Sequence, residues 1–353
     1  MFGKTLAVVD LEYGQPLVLE EVELPDPGPH QVIVKQFATG ICHSQLHRLR
    51  NPSQKRPEFL GHEATGVVVA VGKEVDYVAE GDHVIVTWVP RSGFRGMPRH
   101  DTAMLKFRNE LIPAASSSHT WMQTVVCDDR WVVKMEKDIP TDVTAVVGCA
   151  VLTGAGAALH TAHVGIGTSV AVFGAGGLGL CTIQACANVS AYPIVVVDLF
   201  DEKLEYARQF GATHTVNGSQ EDAVARIKEI TRGGADYAFD MIGVSDTIAQ
   251  LLPSVRAGEL GVDDGGTAVL VGFPGQNPGI PARDLFAGAK KFMTTAGGSG
   301  RPERDFPLFL SWHQHGKLPL EKLVTRRYPL EQINEACADL QSGKILGRAI
   351  IEF

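Results

Sequence analysis

At 353 residues, with 44% hydrophobic and 20% charged side chains, the chain has the composition of an ordinary globular protein and exceeds a single core, so two domains are expected. A formal net charge of −8 argues against nucleic acid or an anionic membrane as main partner, and no apolar run approaches the ~20 residues of a membrane helix. Residues 1–10 (MFGKTLAVVD) read as a first strand rather than a targeting segment. The six scattered cysteines (Cys42, Cys127, Cys149, Cys181, Cys186, Cys337) read as reduced thiols of a cytoplasmic protein, each a small buried hydrophobe or a metal ligand.

Up to residue 148, short β-branched runs at 32–35, 64–71, 83–86 and 131–134 stand between Gly, Pro and Asp turns, which predicts an antiparallel β-rich domain. Beyond it come strand 169–173, helix 178–189, strand 194–197, helices 202–210 and 223–232, and strands 237–241 and 267–271. Apolar strands alternating with helices predict βαβ crossovers and a parallel sheet covered on both faces. After residue 294 the pattern is mixed, with a helix over 330–342 and a closing strand over 348–353. The predicted fold is α/β. A β-rich catalytic domain of residues 1–149 and 294–353 surrounds a doubly wound dinucleotide-binding domain of residues 150–293.

The glycine run Gly174-Ala175-Gly176-Gly177-Leu178-Gly179 follows the strand SVAVF and opens a helix. In that context Gly174 permits a tight turn, Gly176 lets backbone approach a pyrophosphate, and Gly179 allows close packing of helix on strand. The helix start at Gly177 and Leu178 offers free N–H groups to the phosphates. The next strand, IVVVD, ends in Asp198, whose carboxylate would accept from the adenosine ribose and repel a 2′-phosphate, favouring NAD over NADP. Lys203 reaches toward the same ribose or simply lies on a solvated helix face.

Cys42 lies in GICHS, His62 and Glu63 in GHE, and Cys149 in VVGCAV. None of these forms a short-range zinc knuckle. Together, two sulfurs and an imidazole make the Cys₂His set of a catalytic zinc, with a fourth position left for water or substrate. Such an ion lowers the pKa of an alcohol bound to it.

With these motifs, and with GDHV, VDLFDEKLEYARQFGAT, VGFPG and GKILGRAII in the same order, the chain resembles the zinc-containing medium-chain alcohol dehydrogenase family over essentially its whole length. The resemblance implies a GroES-like catalytic domain, a Rossmann domain, NAD, and one catalytic zinc on Cys42, His62 and Cys149. It also implies a small alcohol or aldehyde substrate and a homodimer or homotetramer paired through the dinucleotide-domain sheet, for which strand 267–271 is the expected edge. It assigns Glu63 to a carboxylate beside the zinc, Ser44 to the hydroxyl that takes the alcohol proton, and His47 to the outer end of the proton relay. His43 and Arg348 fall on pyrophosphate contacts, Thr153 on the nicotinamide, and the backbone at Val271 and Phe273 on its carboxamide. Trp88 and Phe273 fall on the substrate pocket. The alternative for His47 is a surface histidine, and for Trp88 ordinary core packing.

Two departures stand out. The stretch 88–127 carries only Cys127, with Ser92 where a first ligand of a second, structural zinc would stand, so no such zinc is expected. His100 and His119 are poor substitutes, and Phe94, Met97, Leu105 and Phe107 are expected to pack the loop. Gln45 occupies the place of an acid that accepts from the zinc-ligating histidine. That change keeps open a second reading, an NAD(P)H-dependent carbonyl or enone reductase with weak or absent zinc. A third, a non-catalytic dinucleotide-binding redox sensor, is opposed by the set Cys42, His62, Cys149, Ser44 and His47.

Overall fold

The computed structural model describes residues 1–92, 102–114, 119–275 and 279–353. Phe94, Met97 and His100 lie outside the described residues. The chain divides into two compact units, Met1–Cys149 with Arg301–Phe353, and Ala150–Gly300. The second crossing thus falls at Gly300 rather than after residue 293. Its reason is close packing: a Cβ on Gly298 would stand 2.5 Å from the Leu152 carbonyl oxygen, so the turn at 297–299 lies directly on helix Ala150–Gly156.

The first unit is β-rich, as its alternating pattern requires. One sheet runs in the order Val132–Met135, His83–Val86, Ala64–Val71, Gln31–Ile41, Arg348–Glu352, Val324–Pro329, with Thr124–Asp128 also paired to Gln31–Ile41. A second sheet runs Glu58–Phe59, Gly3–Asp10, Val18–Leu24, Met104–Phe107, Glu110–Pro113. A core that includes Val32, Val34, Phe59, Val84, Leu105 and Phe107 lies among them. Leu105 and Phe107 are buried as expected, on a strand rather than in a loop.

The second unit is a six-stranded, all-parallel sheet in the order His214–Asn217, Ile194–Asp198, Val170–Phe173, Tyr237–Asp240, Thr267–Leu270, Lys291–Thr294. Numbered within the unit this is 3-2-1-4-5-6, the doubly wound order whose strand order reverses beside the first strand. Every residue of Val170–Phe173 is buried, which explains why it reads as a continuous apolar run. Thr267–Leu270 is interior, paired on both sides, so the expectation that it forms the sheet edge is corrected. The edges are His214–Asn217 and Lys291–Thr294, the latter a four-residue strand (KFMT) beside Thr267–Leu270.

Candidate functional site

Strand register brings the predicted ligands together in the first unit. Gln31–Ile41 pairs with Ala64–Val71 so that Thr39 faces Ala64, and the Gly40 N–H donates to the Glu63 carbonyl at 3.0 Å. Cys42, just past the end of one strand, and His62, just before the start of its neighbour, therefore share one end of the sheet. The next strand, His83–Val86, pairs Val86 with Ala64 and leads to Thr87, whose hydroxyl donates to the Gly148 carbonyl at 2.6 Å. That bond delivers Cys149 to the same end. On the other side Ala349 faces Ile41, which sets Arg348 there as well.

Donor atoms of Cys42, His62, Glu63 and Cys149 all lie within 4.8 Å of one another. Both cysteines and Glu63 are buried, and Nε2 of His62 is 3.1 Å from the Cys149 sulfur. The Cys42 thiol is held well below its usual range, chiefly by its hydrogen bond with Cys149, against the opposing effect of burial, with Arg348 and His62 lowering it further. At Cys186 and Cys337 burial acts alone and pushes the thiols up to about 12. The thiol beside Cys149 and His62 is thus readied to bind as thiolate. Two soft sulfurs, one imidazole and a carboxylate in a buried cluster fit zinc.

Helix His43–Leu49 starts immediately after Cys42, and its Gln45 N–H donates to the Cys42 carbonyl at 3.1 Å. Ser44 is partly buried, and its hydroxyl oxygen is out of solvent with no hydrogen-bond partner among the described residues. His43 and His47 are exposed on the same helix, and His47 lies one turn from Ser44. Gln45 is buried with its amide against Nδ1 of His62. The Trp88 ring meets the His62 ring edge-on, centroids 6.4 Å apart, so Trp88 stands beside a candidate ligand and is only half-buried.

Arg348, matched by the resemblance to a pyrophosphate contact, is 4% exposed and donates to Glu63. The structure pairs it with the carboxylate of the donor cluster. Gly40 makes room for that carboxylate: a Cβ there would fall 2.5 Å from Glu63 Oε1. Neither the Glu63–Arg348 pair nor the anchoring role of Thr87 is legible from spacing, since the partners are far apart in the chain. Ser92 donates its N–H and hydroxyl to Glu303, and Arg91 is paired with Asp129 and stacked 3.7 Å over the Tyr77 ring. Cys127 is buried inside strand Thr124–Asp128, with its thiol pushed up by burial and by Asp128 and Asp129.

In the second unit, Gly174 takes φ +100, and a Cβ on Gly179 would fall 1.8 Å from the Gly174 carbonyl oxygen. Only glycine closes this turn onto the helix. A Cβ on Gly176 would meet nothing within 4 Å, so its outer side is open to a ligand. Helix Gly177–Asn188, which includes Leu178, begins there. Asp198 ends its strand next to the turn and accepts the Ala175 and Leu199 N–H groups, each at 2.8 Å. Lys203 lies over the Phe200 ring at 5.2 Å. Thr153 is buried, and its hydroxyl has no partner among the described residues. The Val271 N–H donates to the Asp240 carbonyl at 2.9 Å, and Phe273 is 70% exposed.

Comparison with known proteins agrees with this arrangement. Residues 28–137 match the family described as alcohol dehydrogenase GroES-like domain, and residues 177–314 match zinc-binding dehydrogenase. The chain is 32% identical to alcohol dehydrogenase class-3 of Cereibacter sphaeroides, covering 99% of this chain and 100% of that protein. It is 31% identical to S-(hydroxymethyl)glutathione dehydrogenase of Paracoccus denitrificans, with 99% and 100% covered. The crystal structure of benzyl alcohol dehydrogenase from Acinetobacter calcoaceticus superposes with a TM-score of 0.88 at 29% identity, over 100% of both chains.

Proposed function

The chain belongs to the zinc-containing medium-chain alcohol dehydrogenase family, and on that premise we propose that Cys42, His62 and Cys149 hold the one catalytic zinc of an NAD-dependent alcohol dehydrogenase. The observation that carries this reading is the buried cluster of two thiols, an imidazole and a carboxylate with donor atoms within 4.8 Å. Zinc supplies a Lewis acid that lets an alcohol lose its proton near neutral pH, and NAD supplies the hydride acceptor.

The chain's own residues do the rest. The Ser44 hydroxyl, two residues from Cys42 and without a hydrogen-bond partner among the described residues, would accept the alcohol proton while passing its own outward along the relay. His47, exposed one turn further along the helix, exchanges that proton with solvent, which an imidazole does well near pH 7. Glu63, held by Arg348, is an additional oxygen donor beside the sulfurs. Trp88, set against His62, narrows the approach for substrate. Asp198 accepts from the adenosine ribose, with Lys203 at its rim, and the turn Gly174 to Gly179 receives the pyrophosphate. Thr153 and the backbone at Val271 and Phe273 hold the nicotinamide, so that its reactive carbon is oriented rather than merely bound.

A small alcohol or aldehyde is the substrate class. We expect no second, structural zinc, because Ser92 stands where its first ligand would; Ser92 donates to Glu303. We place the protein in the cytoplasm, which six cysteines outside any disulfide favour. No described helix is long and apolar enough to cross a membrane. We assign self-association to the edge strand Lys291–Thr294. Met293 on that strand, and Phe286 and Val262 elsewhere in the same unit, are exposed apolar side chains.

One measurement tests the assignment: zinc content of the purified chain alongside a substrate panel read at the absorbance of reduced nicotinamide, with NAD and NADP in parallel. One zinc per chain with NAD-linked turnover is expected. No zinc, with carbonyl or enone reduction intact, would favour the reductase reading, to which the uncharged partner of His62 points. Two zincs would refute the absence of the second site.

A further inference from the structure

The amide of Gln45, 3% exposed, bonds Nδ1 of His62, while Nε2 of the same ring faces the Cys149 sulfur at 3.1 Å. Oε1 of that amide is buried without a hydrogen-bond partner among the described residues. A half-turn of the terminal amide exchanges its oxygen and nitrogen, and the proton on the ring decides which of them belongs against Nδ1. If the amide nitrogen donates to Nδ1, the ring proton sits on Nε2 and points at the sulfur, leaving no lone pair for a metal. If the oxygen accepts from Nδ1–H, the Nε2 lone pair is turned into the donor cluster.

We propose that Gln45 is the positioning residue of His62: its carbonyl oxygen accepts from Nδ1–H and so fixes the tautomer and ring orientation in which Nε2 binds the ion. The role rests on the zinc site proposed above. It is performed by a dipole instead of a charge. A carboxylate at this place would draw the Nδ1 proton more strongly and make the imidazole a better donor. The glutamine therefore leaves the ion more loosely held and more electron-poor than an acid would. The helix geometry supports this placement, because the Gln45 N–H is anchored on the carbonyl of Cys42, another proposed ligand, at 3.1 Å. The side chain thus leaves from a fixed point of the same cluster.

Zinc retention measured by competition with a chromogenic chelator tests the proposal in the wild-type protein, Gln45→Glu and Gln45→Leu, each checked for folding by thermal unfolding. Glutamate can only accept, so Gln45→Glu is expected to hold zinc at least as tightly as the wild type. Gln45→Leu offers no acceptor and is expected to lose about 10- to 100-fold in affinity. Histidine-selective ¹⁵N spectra of the zinc-loaded wild type should show the His62 proton on Nδ1. Loss of zinc affinity in Gln45→Glu, or full retention in Gln45→Leu, overturns the proposal. Should Gln45→Leu fail to fold, Gln45→Glu and the spectrum decide it. A wild-type chain that binds no zinc overturns the zinc site itself, whereas equal binding by all three proteins overturns only the part given to Gln45.

Discussion

Arg348 and Glu63, 285 residues apart in sequence, form an ion pair in which both side chains are buried, at the end of the sheet where the donor cluster stands. The pair exists because strand Arg348–Glu352 lies against Gln31–Ile41, whose other neighbour begins one residue after Glu63. Burying either charge alone is expensive, so each holds the other in place. It also closes the first unit, tying the C-terminal segment to the N-terminal sheet.

Arg348→Met strands a buried carboxylate and is expected to destabilise the metal-free protein by about 3–5 kcal/mol. The double variant with Glu63→Met, which removes both charges, should lose clearly less than the sum of the two single changes. Urea unfolding of the four proteins gives the coupling directly. Additive losses would show that the pair is incidental.

Ser44→Ala removes the proposed proton acceptor without touching a metal ligand. A positioned proton-transfer group is worth about 10²–10⁴-fold, so kcat for alcohol oxidation should fall by that range while zinc content stays at the wild-type level. His47→Gln, further along the relay, should cost less and be partly restored by added imidazole. Unchanged kcat in Ser44→Ala would remove the hydroxyl from the mechanism.

Asp198 already accepts three backbone N–H groups, of Ala175, Leu199 and Phe200, so its carboxylate is held in place before any ribose arrives. Asp198→Asn keeps an acceptor but discards the charge. A charge-assisted hydrogen bond contributes about 1.5–3 kcal/mol, which predicts a roughly 10- to 100-fold weaker Kd for NAD. Affinity for NADP should fall less, because the repulsion of its 2′-phosphate goes too. Fluorescence titration with both cofactors checks the ratio, and a ratio that does not move refutes the role.

Much of this was legible because it is local. The strand IVVVD and its closing Asp198, the glycine turn and helix Gly177–Asn188 are contiguous in the chain, and period and turn chemistry find them. The ladder 64–71 and the strand 83–86 have the bounds expected from their β-branched runs. What sequence missed is non-local or chemically mute. His214–Asn217 and Lys291–Thr294 are four-residue edge strands that exist because a parallel neighbour supplies their hydrogen bonds. Helix Pro302–Gln314 carries Pro307 in its interior, which hides it from propensity. The resemblance matches Arg348 to a phosphate contact, and only the strand order shows that it stands against Glu63. The ligand residues themselves were named from motifs, but their convergence is a product of register that no spacing along the chain expresses.

His119 gives the last test, and it concerns acid stability. The side chain is 1% exposed, next to Thr120, whose hydroxyl is bonded to Thr39 at 2.7 Å in the first unit. Burial disfavours the charged ring and lowers its pKa from 6.5 to about 4. Above pH ~6.5 the ring is neutral in both folded and unfolded chains, and this group makes no pH-dependent contribution. As pH falls from ~6.5 toward about 4 the unfolded chain takes up a proton that the folded chain refuses, so stability drops. Below about 4 the folded ring is protonated as well and the loss levels off, at about 3 kcal/mol in all. His119→Leu removes this term, so the wild type should lose more stability than the variant between pH 7.5 and 4.5, by about 2–3 kcal/mol in urea unfolding. Parallel decline of the two proteins over that interval would mean that His119 is not a neutral buried ring, and that the acid sensitivity of this unit arises from its carboxylates.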